Sequence, residues 1–138
     1  MSAAPIVFER LTGAQTLVGY RCLVYPDRAE VILDMDGRHH NRKNTLHGGL
    51  AAMMLDAACG FAVSRHYSDD ASAVVVTLAL TTNFIGSPQD GRLVTIARVV
   101  GAGRKIAYAE GFLRDATGAV MASATGVFKR ERGGEDAG

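Results

Sequence analysis

Residues 50–66 form a helix-length segment that is apolar on nearly all sides. Because a helix at a protein surface has one polar face, this segment is expected to be a helix enclosed by other structure. The run is too short to span a membrane, and it contains a carboxylate, Asp56, near its middle. Asp56 is the only charged side chain between His47 and Ser64. The sequence therefore predicts a central buried helix that carries a single acidic residue.

Strand patterns lie on both sides of this helix. Apolar runs separated by turns rich in Gly, Pro and Asp predict two strands before it and four after it, over residues 16–25, 28–35, 74–84, 92–100, 105–113 and 119–129. A short helix is expected over residues 6–16, and a polar surface loop over residues 36–45. Only a strongly curved sheet can cover a helix that is apolar all round. The order of elements thus predicts an α+β fold in which a curved antiparallel sheet wraps around one long helix.

The predicted strand over residues 74–84 has two distinct faces. Strict alternation places Leu78, Leu80 and Phe84 on one face and Thr77 on the other. A strand of this kind is expected to be half buried, with its apolar face toward the core.

Length and composition favour a single soluble domain. The chain has 138 residues, of which 48% are hydrophobic and 21% are charged, and its formal net charge is +1. One domain over residues 1–130 and a flexible polar tail over residues 131–138 are expected. The balanced charge gives no reason to expect a nucleic-acid partner, and neither a secretory leader nor a membrane partner is expected. Because the two cysteines form no recognisable motif, a cytoplasmic location is predicted.

Asp56 is the first candidate for chemistry. An ionised carboxylate is costly to bury, and burial makes it a better proton acceptor. The alternative is a structural acid that backbone or hydroxyl donors satisfy. His47 lies nine residues earlier, which rotates it to the opposite side of the helix, so the two side chains are not expected to pair within one chain. A partner for Asp56 must come from another element or from a second subunit.

Gly48 and Gly49 lie where the polar loop becomes the helix. The first N–H groups of a helix are unpaired and the helix dipole favours negative charge there, so this end is a candidate oxyanion site. Glycine also permits a substrate carbonyl to approach the backbone. The structural alternatives are glycines that merely begin a helix and a histidine, His47, that merely caps it.

Other reactive side chains are expected to have structural roles. His39 and His40 lack companions at ligand spacing, so no metal site is expected. Cys59 follows Asp56 by three residues, and a nearby carboxylate disfavours the thiolate, so a buried core thiol is expected. Two groups of cations could bind ligand phosphates, and solvated loop charges are the alternative: Arg38, Arg42 and Lys43 in the polar loop, and Arg104 and Lys105 in the glycine-containing hairpin.

Together these residues resemble the hotdog-fold acyl-CoA thioesterases of the phenylacetate-degradation (PaaI-like) type. The resemblance covers residues 38–128, and its most specific part is Asn41 followed by His47-Gly48-Gly49 and then by Asp56. It implies a hotdog fold in which a sheet of five or six antiparallel strands curls around the helix. It also implies a homodimer as the minimal unit, often assembled into a homotetramer, and an acyl-CoA substrate with no further cofactor.

The resemblance assigns roles at a site on the dimer interface. The carboxylate would polarise a water or attack the thioester carbonyl, a side-chain amide and a backbone N–H would form the oxyanion hole, and a hydroxyl would orient the water. The implied catalytic set is Asp56, Asn41, Gly48, His47 and Thr77. The implied set for the substrate and its CoA arm is Gly49, Phe84, Gly103, Arg104 and Lys105.

The leading hypothesis is therefore a thioester hydrolase that converts a small or medium acyl-CoA, aryl-acyl groups included, to free acid and CoA. The rival hypothesis is a non-catalytic acyl-CoA-binding or regulatory hotdog protein in which Asp56 is structural. A hydratase on the same fold is disfavoured because its catalytic histidine pattern has no match. Two departures from the family pattern predict altered loop geometry near the acyl group, namely Asn44 in place of the usual glycine and one extra residue in Phe84-Ile85-Gly86-Ser87-Pro88.

Overall fold

The computed structural model describes residues 4–131, in which one long helix packs on one antiparallel sheet. The elements in chain order are β1 Ile6–Phe8, α1 Gly13–Val18, β2 Arg21–Val24, β3 Ala29–Met35, a 3-10 turn Gly37–His39, α2 Gly48–Tyr67, β4 Val75–Phe84, β5 Gly91–Ala102, β6 Ile106–Arg114 and β7 Val120–Arg130. The strands lie in the order β1-β2-β3-β5-β6-β7-β4, so β1 and β4 are the two edges. The predicted α+β architecture is confirmed, with seven strands in place of five or six. Most of the predicted tail lies outside the described residues.

The long helix α2 forms the centre of the core, as predicted. Met54, Leu55, Ala58 and Cys59 have no exposed surface, and all four belong to one cluster with the inner residues of the sheet. The sheet accommodates the helix through small residues: a Cβ on Gly111 of β6 would lie 3.4 Å from both the Leu55 and the Cys59 side chains. Close packing of this kind leaves little room for change at the helix face that contacts the sheet.

In the described part of the chain, three β-bulges bend the sheet around the helix. Each inserts one unpaired residue into a ladder, at Leu78 in β4, at Val100 in β5 and at Met121 in β7. A bulge bends its strand, increases the local twist and can re-aim a side chain. Two of the three bulges lie beside the candidate site described below.

The N-terminal prediction was wrong in its boundaries. Ile6–Phe8 is a strand paired with β2, because the Phe8 ring packs inward and stacks on the Phe61 ring of α2 at 5.0 Å between centroids. The helix begins only after Thr12, whose hydroxyl caps it, and ends at Gly19 with φ of 91°. Residues 16–18 are therefore helical, and the following strand is confined to Arg21–Val24.

The predicted faces of β4 were also wrong. The bulge at Leu78 shifts the alternation by one residue, so Thr77 pairs with Phe128 and Leu80 with Gly126, both on the inner side of β7. Thr77 and Leu80 consequently share the face toward the helix, where strict alternation separated them. The hairpin between β5 and β6 differs as well, since the strand continues through Ala102 and the tip of the turn is Arg104-Lys105.

Within residues 4–131, no helix has the length and hydropathy of a membrane span.

One buried hydroxyl in the core lacks a partner, and its removal is expected to stabilise the protein. Thr95 on β5 is fully buried, and its Oγ1 makes no hydrogen bond with the described residues. Because an unsatisfied buried hydroxyl costs about 1 kcal/mol or more, Thr95→Val is expected to raise the unfolding free energy by about 1 kcal/mol in urea denaturation. The matched control is Thr45→Val, whose hydroxyl bonds the Asn41 side chain at 3.0 Å and whose loss is expected to destabilise. A lower unfolding free energy for Thr95→Val would contradict this prediction.

Candidate functional site

Asp56 has one hydrogen-bond partner among the described residues, and it is the predicted one. The Thr77 hydroxyl donates to Oδ1 of Asp56 over 2.6 Å, a length typical of a bond to an ionised carboxylate. Asp56 projects from the middle of α2 and Thr77 from edge strand β4. The bulge at Leu78 gives Thr77 its orientation toward the helix.

The Asp56 carboxylate is less buried than the apolar sequence around it suggested. Its neighbours Leu55 and Cys59 are fully buried, whereas Asp56 is half-buried and Thr77 is exposed. Both lie on the side of α2 that faces β4, where the sheet ends. The pair therefore opens toward the surface beside an edge strand, and a ligand or a second chain can reach it.

The start of α2 presents one free backbone donor. His47 is the N-cap, and its Nδ1 accepts from the N–H of Gly49 at 2.9 Å. Nothing among residues 4–131 accepts a hydrogen bond from the N–H of Gly48. The Phe84 ring lies over this residue, since a Cβ on Gly48 would be 3.4 Å from the ring edge. The capping alternative for His47 is thus what the geometry shows, and Gly48 is left as the candidate oxyanion donor.

The Asn41 side chain organises its own loop. Its Nδ2 donates to the Thr45 hydroxyl at 3.0 Å, and its Oδ1 accepts from the backbone N–H groups of Lys43 and Thr45 at 2.9 and 3.2 Å. The structure therefore places Asn41 as a loop-forming residue, and its amide does not meet Asp56 within the chain. Asn44 in the same loop has φ of 61°, a left-handed conformation that Asn tolerates better than most residues other than Gly. This explains why asparagine can replace the usual glycine at this position.

Asp56 and Gly48 of one chain are too far apart to act on one carbonyl. Eight residues separate them along α2, which corresponds to about 12 Å at 1.5 Å per residue. The candidate base, Asp56, and the candidate oxyanion donor, Gly48, therefore lie at well-separated positions along the same helix.

The predicted phosphate-binding turn belongs to a larger basic groove. A groove of about 720 Å³ runs beside β4 and is lined by Arg104 and Lys105, by Lys129 and Arg130 at the end of β7, and also by Val76, Leu78 and Glu131. The sequence reasoning missed Lys129 and Arg130. Only the strand register, which pairs Lys129 with Ile106 on one side and Val76 on the other, brings them beside the turn.

Tyr67 at the end of α2 holds this turn in place. Its hydroxyl donates to the Gly103 carbonyl at 2.8 Å, and the Arg130 guanidinium lies 5.5 Å from the centre of its ring. The backbone N–H of Arg130 also donates to the Lys105 carbonyl at 2.8 Å. The cations therefore sit on a braced hairpin.

The two adjacent histidines brace loops. His39 is buried, accepts from the Asp36 N–H at Nδ1 and donates from Nε2 to the Val18 carbonyl at 2.8 Å. His40 contacts Asp90 at 2.7 Å and so links the loop before α2 to the loop after β4. Among residues 4–131, no group of three or more His, Cys, Asp or Glu side chains could hold a metal ion.

Known proteins share this sequence pattern and this fold. The sequence model of the thioesterase superfamily matches residues 43–122, which is more than half of the chain. The chain belongs to the thioesterase superfamily. Membership of this superfamily makes the chain a thioester hydrolase by enzyme class. It confirms the family resemblance that the sequence motif indicated.

Individual relatives and solved structures support this family and this fold. The chain is 33% identical over 99 residues to the Pseudomonas aeruginosa protein named "Putative esterase PA0474", covering 71% of this chain and 72% of the relative. It is 30% identical to the BH2602 protein of Bacillus halodurans, solved with CoA, with a TM-score of 0.71 over 77% of this chain and 69% of that one. The PaaI protein of E. coli shares its fold at 18% identity, with a TM-score of 0.78 over 89% of this chain and 87% of that one. The hotdog fold is thereby confirmed.

Burial of the thiols predicts a loss of stability at high pH. Burial raises the pKa of Cys22 and of Cys59 from 9.0 to about 12, and the Asp56 and Glu110 charges add to the effect at Cys59. Between pH 9 and 12 the unfolded thiols lose their protons while the folded ones keep them, so the unfolding free energy falls as pH rises, by about 1.4 kcal/mol per pH unit for each thiol.

Urea denaturation at a series of pH values between 8 and 11 measures this slope, and the double variant Cys22→Ala/Cys59→Ala is expected to flatten it. Equal slopes in both proteins would contradict the prediction. Burial raises the pKa of Tyr20 to about 12 and also raises the pKa of Tyr67, so both tyrosines contribute to the slope that remains.

Proposed function

We propose that this protein hydrolyses small or medium acyl-CoA thioesters, aryl-acyl groups included, to free acid and CoA, with Asp56 as general base or nucleophile. The observation that carries the proposal is the bond of 2.6 Å between Thr77 and Oδ1 of Asp56 on an otherwise apolar helix. This bond orients the carboxylate and leaves Oδ2 without a hydrogen bond among the described residues. Oδ2 is the atom that would take a proton from water or attack the carbonyl carbon.

The reaction needs little beyond a base and an oxyanion donor. In the base route, Asp56 takes a proton as water adds to the carbonyl carbon, the oxyanion is held by the Gly48 N–H, and collapse breaks the C–S bond. The departing CoA sulfur then receives the proton. In the nucleophile route, the carboxylate adds to the carbonyl carbon, and collapse breaks the C–S bond, expels the CoA thiolate and leaves a mixed anhydride. Water then hydrolyses the anhydride, which releases the free acid, regenerates the Asp56 carboxylate and supplies the proton that the CoA thiolate takes up. A preorganised donor of this kind stabilises the transition state by about 3 kcal/mol.

The site is proposed to be shared between the two subunits of a homodimer. The axial separation of about 12 Å between Asp56 and Gly48 supports this arrangement, because the donor that faces a given Asp56 must then come from another chain. The position of β4 at the sheet edge also supports it, since an edge strand presents unpaired N–H and C=O groups to a partner. A homotetramer, a single domain over residues 1–130 and a cytoplasmic location remain predictions.

The basic groove is proposed to bind the phosphates of CoA. Among residues 4–131, four cations converge there from a hairpin turn and from the end of β7, and Glu131 is the one acidic side chain that lines the groove. Guanidinium and ammonium groups are the usual phosphate ligands in proteins. Lys129 and Arg130 thereby join Arg104 and Lys105 in the proposed role.

Hydrolysis of a panel of acyl-CoA thioesters by the purified protein, followed by release of free thiol, tests the function. Turnover is expected with EDTA present, since no metal or added cofactor is proposed. Tight binding of acyl-CoA without turnover would favour the rival acyl-CoA-binding hypothesis. Hydration of an enoyl-CoA without hydrolysis would contradict the proposed reaction.

Loss of one groove cation is expected to weaken binding of CoA thioesters specifically. Lys129→Gln and Arg104→Gln should each raise KM for an acyl-CoA about tenfold, because each removes a charge-assisted contact to phosphate. KM for the same acyl group on N-acetylcysteamine, which has no phosphate, should not change. The control is Lys43→Gln, an exposed cation that does not line the groove. Equal effects on both thioesters would contradict the assignment.

A further inference from the structure

A small cavity lies beside the candidate oxyanion donor. It has a volume of about 20 Å³, and Gly48, Phe84, Gly86, Leu113 and Met121 contribute to its wall. Every described residue that lines it is apolar, glycine or proline. A volume of this size accommodates one or two heavy atoms. The cavity is therefore suited to a short hydrocarbon group and offers no polar side chain to a ligand.

Two irregularities of the backbone create this cavity. Met121 is the bulged residue of β7, which lies between Val120, paired with Arg114, and Ala122, paired with Leu113. The Met121 carbonyl also accepts from two consecutive N–H groups, those of Ile85 at 2.8 Å and Gly86 at 2.9 Å. The extra residue between Phe84 and Pro88 is thus absorbed opposite the bulge. Bulges beside active sites commonly re-aim a side chain, and here they direct the Met121 thioether into the wall.

Met121 is the adjustable part of the wall. Its Sδ lies only 2.6 Å from the position that a Cβ on Gly86 would take, so the thioether covers the glycine directly. Phe84, in contrast, is 59% exposed and touches Gly48 with one edge of its ring. Methionine is flexible and fills irregular gaps, so it can yield to a ligand where backbone cannot.

We infer that this cavity receives the acyl group of the substrate, and that the contact of Met121 with Gly86 narrows the range proposed above, from small, medium or aryl-acyl groups to short aliphatic chains. The inference rests on the proposed function. The other parts of an acyl-CoA do not suit the cavity, because pantetheine carries amides that need polar partners and the nucleotide carries phosphates. The basic groove that suits those phosphates lies near the other end of α2, where Tyr67 reaches Gly103. A carbonyl at the Gly48 N–H would leave its hydrocarbon end adjacent to Met121.

The test measures chain-length preference by binding as well as by turnover. Non-hydrolysable thioether analogues of acyl-CoA with two to ten carbons are titrated calorimetrically, and kcat/KM is measured for the matching thioesters. The wild type is expected to prefer the shortest chains. Met121→Ala should raise the ratio of octanoyl to acetyl affinity at least about tenfold, because removal of the side chain deepens the cavity. Met121→Val provides a second, milder variant should alanine impair folding.

Gly86→Ala supplies the matched test of the contact. Its added Cβ displaces the thioether in the wild-type background, so the chain-length ratio should change, whereas in the Met121→Ala background the same Cβ should have no effect. The control is Val127→Ala on the same strand, which does not line the cavity and should leave the ratio unchanged. A ratio within twofold of wild type in both Met121 variants would overturn the inference. Absence of turnover with the binding ratios as expected would refute the proposed reaction and leave the pocket assignment standing.

Discussion

Replacement of Asp56 by asparagine is expected to lower kcat for acyl-CoA hydrolysis about 1000-fold, which is within the range that a positioned general base contributes. The amide has nearly the shape of the carboxylate and can still meet the Thr77 hydroxyl, but it cannot take a proton from water. KM should therefore change little, because binding does not depend on the charge. Steady-state kinetics with the best substrate of the panel measures both constants.

Two further variants serve as a comparison and a control for Asp56→Asn. Thr77→Val removes the bond of 2.6 Å that orients the carboxylate and is expected to reduce kcat by about tenfold to 100-fold, less than the loss of the base itself. Asp69→Asn is the matched control, since Asp69 is fully exposed beyond the end of α2 and its one charged contact within residues 4–131 is with Arg65, at 3.4 Å. Full activity of Asp56→Asn would contradict the proposed mechanism and would indicate that Asp56 has a structural role.

Removal of a single backbone N–H is expected to have the second largest effect. Gly48→Pro deletes the candidate oxyanion donor and should lower kcat about 100-fold, equivalent to ~3 kcal/mol of transition-state stabilisation. The fold should tolerate proline there, because Gly48 is the first residue of α2 and His47 before it has φ of −60° and ψ of 130°, an extended conformation that suits a residue preceding proline. The control is Gly48→Ala, which keeps the N–H and adds a Cβ 3.4 Å from the Phe84 ring. Equal activities of the proline and alanine variants would show that the N–H is not used.

The same variants test whether the site is shared. When Asp56→Asn and Gly48→Pro subunits are mixed and allowed to exchange, half of the dimers contain one of each, and each mixed dimer has one intact site. Activity should then recover to about a quarter of the wild-type value, as the symmetry of a twofold dimer requires. No recovery after verified exchange would place both groups of each site in one chain.

The elements that rest on long periodic patterns were predicted from sequence, and the exceptions have local causes. Residues 50–66 have no polar face, and α2 is the central helix. β1 was missed because three residues give too short a pattern, and only the stacking of Phe8 on Phe61 reveals its inward face. The faces of β4 were misjudged because one unpaired residue, Leu78, inverts the alternation without a sequence signal such as glycine or proline.

The candidate site was predicted in part for similar reasons. The pairing of Asp56 with Thr77 followed from a resemblance, and the contact is present. Lys129 and Arg130 were missed because their place beside the turn depends on strand register, which composition does not encode. Asn41 illustrates the opposite case. Its side-chain oxygen accepts hydrogen bonds from the backbone N–H groups of Lys43 and Thr45, so it forms a local turn, a role that Asn often has between residues this near in sequence.

The bulge at Leu78 makes the number of residues in β4 as important as their identity. Loss of the Leu78 codon would restore regular alternation and keep the Thr77 hydroxyl on the helix side of the sheet, because Thr77 and Ala79 already pair with the adjacent residues Phe128 and Val127. An unbulged strand that kept Leu78 would instead turn the Thr77 hydroxyl to the outer side. A relative that lacks the bulge must carry its hydroxyl one residue closer to the aromatic at the end of the strand. Sequence alignments of this region therefore need a gap inside a strand, a place where gaps are usually penalised, and an ungapped alignment will match Thr77 to a residue that faces away from the acid.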